Sequence, residues 1–201
     1  MRILLLKTWR DLLARKGQFA ALILLIALGI LSYVAFLGGY LDLTRSVETA
    51  NAQLKFADFT VKVLSAPSGE VAAVARVPGV RAVEGRLIVD TGLDVGTDKQ
   101  PLARVIGVPV DHRPRVNDLL VEQGRYLSPM GRGEALLHMK YAKDTGTKVG
   151  DTVTLRLGEE RKLLKVVGIV ASAEYMYAIP DKGALPSTGE FAVIWVPERD
   201  A

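Results

Sequence analysis

Apolar residues follow three different patterns along this chain. Residues 19–41 form an unbroken run, FAALILLIALGILSYVAFLGGYL, with no charged residue between Gln18 and Asp42. At 1.5 Å each, roughly 23 residues reach about 34 Å, enough to cross a hydrocarbon core of about 30 Å with some tilt. A core helix of a small soluble domain would carry a polar face. A cleaved secretory segment would have a shorter apolar stretch ending in a small-x-small site, and Ala35-Phe36-Leu37-Gly38-Gly39-Tyr40 is a poor one. The run predicts a transmembrane helix over residues 18–41.

On both flanks the apolar spacing is helical. Before the run, Leu5, Trp9, Leu12 and Leu13 recur at three and four, with Lys7, Arg10 and Asp11 on another face. Residues 1–17 read either as a basic amphipathic helix in the cytoplasmic interface or as an ordinary positive flank, with Gly17 as a joint. After the run, residues 42–57 are polar with Leu43, Val47, Ala50 and Leu54 at helical spacing, which predicts a helical stalk and a weak seam for a partner helix.

From residue 58 the period falls to two. Phe59, Val61 and Val63 alternate and predict a strand over 58–64. Ser68 is a candidate N-cap for a short helix with Val71, Val74 and Ala75 on its inner side, stopped at Val77-Pro78-Gly79. Strands are expected over 86–95 and 102–110, joined by a turn at Gly96-Thr97-Asp98, then over 134–137, 152–157, 162–170 and 191–196. A helix over 138–145 should end at Gly146. Leu119, Leu120 and a turn at Gly124-Arg125-Tyr126 fill residues 117–128, and residues 172–190 read as a long loop. The class is α+β: a strand–helix–strand–strand unit followed by a small, curled, mostly-β subdomain, behind one membrane helix.

Charge gives the helix a direction. Arg2, Lys7, Arg10, Arg15 and Lys16 stand against Asp11 before the run, while the rest of the chain is balanced, so the net charge of +4 belongs to the flank. Basic residues ahead of a membrane helix predict a cytoplasmic N-terminus, with everything after about residue 42 outside. A neutral exported domain argues against nucleic acid as a partner. The chain has no cysteine, which excludes disulfides, thiolate metal sites and a cysteine nucleophile.

Candidate chemistry is sparse. There is no G-x-x-x-x-G-K-[ST] loop, no G-x-S-x-G elbow and no H-E-x-x-H helix. His112 and His138 lack metal-ligand spacing and read as surface or packing residues. Asp90 and Asp94 should share one side of a strand, where solvated acids are the simpler reading than an acid–base pair. Glu174-Tyr175-Met176-Tyr177 offers either a recognition surface or, slightly preferred, two tyrosines covering the end of the sheet. No catalytic, cofactor-binding or metal-binding residue is assigned, and no cofactor is expected. The chain is not expected to be an enzyme.

The order of these segments resembles the start of an ABC-transporter permease of the FtsX-like/MacB-like family. The resemblance rests on Lys7-Thr8-Trp9-Arg10-Asp11-Leu12 with Arg15-Lys16, on Val77-Pro78-Gly79-Val80-Arg81-Ala82-Val83, and on Val121-Glu122-Gln123-Gly124-Arg125-Tyr126-Leu127. It extends through Lys148-Val149-Gly150-Asp151-Thr152-Val153-Thr154-Leu155, Leu164-Lys165-Val166-Val167-Gly168-Ile169-Val170, and Ser172-Ala173-Glu174-Tyr175-Met176-Tyr177-Ala178-Ile179. It implies a MacB-like periplasmic core domain over residues 58–201, incomplete, in a bacterial inner-membrane protein. It also implies a separate or fused ABC ATPase, a second permease copy, and coupling of cytoplasmic ATP hydrolysis to movement of the outer domain. Such permeases carry further membrane helices after the core domain, so the chain reads as an N-terminal fragment that would not transport alone. Gly38-Gly39 is the weak point of the coupling helix, as a hinge or as close packing against a neighbour. A single-pass anchored adaptor or binding module is the alternative. An anchored enzyme would need a cleft of perturbed acids or a metal.

Overall fold

A computed structural model describes residues 9–10, 14–96, 101–158, 160–175 and 189–201. The chain divides into two compact units, Met1–Thr49 and Ala50–Ala201. The expected interfacial helix over residues 1–17 lies largely outside the described residues.

Helix α1 runs Lys16–Gln53 without interruption, and none of its 38 residues is buried. At 1.5 Å per residue it is about 57 Å long. Leu24, Leu25, Ile26, Leu28, Ile30, Leu31 and Phe36 are all more than half exposed, so the apolar surface goes all the way round. In water that surface would be strongly unfavourable, whereas a bilayer solvates it. Among the described residues α1 is the one helix long and apolar enough to span a membrane. Gly17 falls inside its first turn rather than at a joint before it, and the helix passes through Gly38 and Gly39 unbroken. Of the stalk seam, Leu43 is exposed while Val47, Ala50 and Leu54 are half-buried.

The second unit is built on β1 (Ile88–Asp94), β2 (Leu102–Val108), β3 (Leu119–Gly124), β4 (Glu134–His138), β5 (Thr152–Leu157), β6 (Glu160–Ser172) and β7 (Phe191–Pro197). The strand order is β3-β6-β4-β7-β2-β1-β5, and β5 pairs back onto β6, so six of the strands close into a barrel with β3 on its edge. Closure depends on β6. Its first half pairs with β5 through Lys162↔Leu155, and its second half pairs with β4 and β3. A register shift at Val166 to Gly168 bends the strand between these halves. Gly168 is required there, because a Cβ would lie 2.4 Å from the Arg125 carbonyl oxygen. Gly124, at φ +77, meets the same crossing from β3: its Cβ would stand 2.3 Å from the Val167 carbonyl oxygen.

Two apolar layers lie on the two faces of this sheet. Leu93, Val105, Leu137, Val153, Leu155, Leu164, Val166 and Ile194 form one, with Tyr141 and Ala142 of helix α3 (Met139–Thr145) packed into it. Ile106, Val108, Leu119, Leu136, Val170, Val193 and Trp195 form the other, covered by Leu127 and Tyr175. Strand β7 is buried on both faces and reads accordingly as a continuous apolar run, FAVIWVP, paired in parallel with β2. The α+β class and the curled sheet expected from the sequence are present, with β1 and β2 in the same sheet as the later strands.

Three local expectations need correction. Residues 58–64 join no ladder of the sheet, and Phe59, Val61 and Val63 are exposed. The alternation is that of a strand, but a strand forms only where a neighbouring edge accepts its backbone groups. The short helix α2 (Ser68–Val74) begins one residue after Pro67, which occupies the N-cap position, so Ser68 is not the cap. Of its expected inner side only Val71 is half-buried. Helix α3 starts at Met139 because His138 is its cap, and it ends as expected at Gly146, φ 74.

Candidate functional site

The most heavily hydrogen-bonded polar cluster lies where the chain leaves α1. A helix end leaves its last carbonyls without intrahelical partners. Here Leu54, Lys55 and Phe56 N–H close the last turn onto the carbonyls of Ala50, Ala52 and Asn51, and the next two carbonyls, just past the helix, are taken by residues that lead into β3. Asp118 N–H donates to the Leu54 carbonyl at 2.7 Å and Asn117 N–H to the Lys55 carbonyl at 2.9 Å. Both Lys55 (φ 51) and Asn117 (φ 52) have left-handed backbones, a conformation that asparagine tolerates better than most residues.

Asn117 is buried and uses every polar group it has. Besides its N–H, its Oδ1 accepts from Ala57 N–H at 2.8 Å, and its Nδ2 donates to Glu174 at 3.2 Å. Its carbonyl accepts from the Arg86 guanidinium at 2.8 Å. The same guanidinium donates to the Val116 carbonyl at 2.5 Å and to Glu174 at 3.2 Å. Lys55 Nζ donates to the Pro114 carbonyl at 3.1 Å and lies 3.6 Å from Asp118. Arg86 lies two residues before β1, Glu174 two residues after β6, and Asp118 one before β3. Three strand ends and the segment 55–57 therefore meet on Asn117. Arg86 and Glu174 are largely buried, so their hydrogen bonds are the charge-assisted kind whose loss costs most, roughly 1.5–3 kcal/mol each.

The cluster pairs its carboxylates with cations, Glu174 with Arg86 and Asp118 with Lys55 and Arg113, as structural ion pairs do. Its arrangement suits a structural brace within the second unit. Sequence reasoning singled out Glu174 but not Asn117 or Arg86. The available signal was slight, an Asn-Asp pair between Pro114 and an apolar strand.

The other candidates are dispersed. His112 is exposed beside Asp111, 2.9 Å away. His138 is buried against Trp195, with ring centroids 6.1 Å apart, and its Nδ1 accepts from Lys140 N–H at 3.3 Å. Burial pushes its pKa down to about 4. Asp90 makes a two-point pair with Arg104 of the neighbouring strand, at 2.8 and 2.7 Å, and Asp94 lies 3.3 Å from Arg161. Each acid has its own arginine, as structural ion pairs do. Tyr175 packs edge-on against Trp195 at 5.8 Å, and burial pushes its pKa up to about 12. It covers the sheet, as preferred. Met176 and Tyr177 lie outside the described residues. A surface depression is lined by Pro129, Met130, Arg132, Arg199 and Asp200, where Arg199 is engaged by the carbonyls of Pro129 (2.8 Å) and Gly131. Among the described residues no three His, Asp or Glu side chains converge to hold a metal ion.

The model of the family described as the MacB-like periplasmic core domain matches residues 19–201. No curated protein matches the chain significantly. Among solved structures, the extracellular domain of the noncanonic ABC-type transporter YknZ from Gram-positive bacteria is similar at 17% identity. Its TM-score is 0.42, over 66% of this chain and 62% of that one. The periplasmic region of MacB from Actinobacillus actinomycetemcomitans is similar at 15% identity, with a TM-score of 0.41, over 65% of this chain and 54% of that one. The chain thus spans less than two thirds of the length of either.

Proposed function

Because the chain belongs to the family of MacB-like periplasmic core domains, we propose that it is part of the membrane (permease) subunit of an ABC transporter. The observation that carries this reading is the family match beginning within a helix of membrane-spanning length and continuing into the folded second unit. In this reading residues 18–41 cross a bacterial inner membrane, residues 42–57 are a stalk, and residues 58–201 form the extracytoplasmic core. The positive flank keeps the N-terminus in the cytoplasm. Hydrolysis of ATP belongs to a partner subunit, and two permease copies act together.

The mechanism that fits these parts is mechanical. Closure of the partner ATPases displaces the cytoplasmic ends of the membrane helices, and a helix transmits displacement along its axis because each turn is hydrogen-bonded to the next. Coupling then requires a discrete element with two arrangements at the far end, which the outer domain supplies by changing position. Work is done on material already outside the membrane, so export or extraction needs no channel through this subunit.

The test is affinity purification of the tagged, membrane-embedded protein from its native host in mild detergent, followed by a nucleotide-hydrolysis assay and identification of bound chains. An ABC ATPase should co-purify and hydrolyse ATP. A preparation with no nucleotide-binding subunit and no ATP hydrolysis would overturn the permease assignment.

A further inference from the structure

We propose that helix α3 is a proton-released flap: protonation of His138 withdraws its N-cap and lets residues 139–145 detach from the sheet while the strands beneath stay paired. The flap lies wholly within the second unit and does not depend on the permease reading.

Strand β4 is held on both sides, but its ladder with β7 ends at Leu137 and its ladder with β6 at His138. From Met139 the chain is attached differently. Seven residues fall well short of the roughly 12–15 at which an isolated helix becomes even marginal in water, so α3 exists through its attachments. Its polar side chains turn inward on the helix itself: Lys140 pairs with Asp144 at 2.6 Å, and Thr145 bonds to the Tyr141 carbonyl and to Thr147. The links to the sheet are the burial of Tyr141 and Ala142 and the cap, where His138 Nδ1 accepts from Lys140 N–H at 3.3 Å. The capping ring belongs to the sheet, enclosed against Trp195 of β7. The cap requires a neutral ring, because an imidazolium has a proton on both nitrogens and accepts nothing. The surroundings offer that charge no relief. Trp195 flanks it from β7, Val170 pairs opposite it on β6, and α3 brings Lys140, a like charge already engaged by Asp144. Burial pushes the pKa values of Tyr141 and Tyr175 up, so both phenols stay neutral. A proton on His138 therefore breaks the cap and is accommodated only by moving ring and first turn out to water. That uncovers the layer containing Leu137, Val166 and Ile194, into which Tyr141 and Ala142 pack. Burial, and secondarily Lys140, holds the enclosed ring at about 4, against 6.5 once released. Above pH 6.5 neither form binds the proton. Between 6.5 and 4 the released form binds it and the closed form does not, so the opening constant rises roughly 25-fold from pH 7.5 to 5.

Amide hydrogen exchange on the full chain in nanodiscs tests the flap. The hydrogen-bonded amides of α3 are followed against those of β7, with rates corrected for the intrinsic pH dependence of exchange. At pH 5 the α3 amides should open about tenfold or more as often as those of β7. Their opening constant should exceed its value at pH 7.5 by about 25-fold. H138N keeps a side-chain acceptor at the cap but does not titrate, and should cut that rise to below about threefold. H138Q, closer in length, carries this comparison if H138N does not fold. Equal protection of α3 and β7 at pH 5 would mean that α3 opens only with the whole sheet, and would overturn the proposal. An undiminished rise in a folded variant would overturn it as well, since the proton would then act elsewhere. If neither variant folds, the comparison of α3 with β7 in the unaltered chain decides. None of these rates needs an ATPase, so a failed flap leaves the permease reading standing.

Discussion

His138 shows how a single side chain carries a condition of the fold. It caps α3 by accepting at Nδ1, so its proton, when neutral, sits on Nε2, and it is enclosed against Trp195. Burial disfavours the imidazolium, lowering the pKa from 6.5 to about 4. Above pH 6.5 neither folded nor unfolded chain is protonated there and the full stability is present. Between 6.5 and 4 the unfolded chain binds the proton and the folded one does not, so stability falls with pH, by roughly 3 kcal/mol over that window. H138Q should flatten this slope, read as the difference between melting temperatures at pH 7.5 and 5. An unchanged slope in the variant would assign the acid sensitivity elsewhere. The sequence offered for this histidine only a surface or packing role. That it is a buried cap was not legible there, because burial comes from Trp195, far along the chain.

At the level of elements, local pattern predicted most of the strands and the two short helices, and it did so best where both faces are buried. Strand β7 and the middle of β6 are apolar without interruption, and no other element fits runs so short. The pattern failed at residues 58–64. Alternation states which face would be buried but supplies no partner edge, and this segment has none among the described residues. Its exposed Phe59, Val61 and Val63 are apolar side chains open to unwanted association. V61K should leave the melting temperature within the range of ordinary surface changes, about 0.5 kcal/mol, while reducing self-association in light scattering. A large fall in melting temperature would instead place Val61 in a packed interface. Strand β3 was only half visible in the sequence, since its position follows from the bend that Gly124 and Gly168 permit.

For the whole molecule, direction across the membrane is the property that the charge pattern sets most simply. With the N-terminus inside, a membrane-impermeant maleimide should label K165C in intact spheroplasts and should label R10C only after permeabilisation. The reverse result would place the folded unit in the cytoplasm and remove the basis for an extracytoplasmic core.

The membrane helix, the α+β class and the absence of nucleotide-binding motifs were determined by the sequence alone, because each depends on neighbours close in the chain: an uncharged run, a period of two or 3.6, a fixed motif spacing. Barrel closure, the two-faced burial of β7 and the meeting of Leu54, Arg86, Asn117 and Glu174 were decided only by the tertiary structure. The residues involved are separated by up to 120 positions or so in the chain, and what brings them together is the pairing of whole strands and the shared satisfaction of buried polar groups, neither of which leaves a local periodic trace.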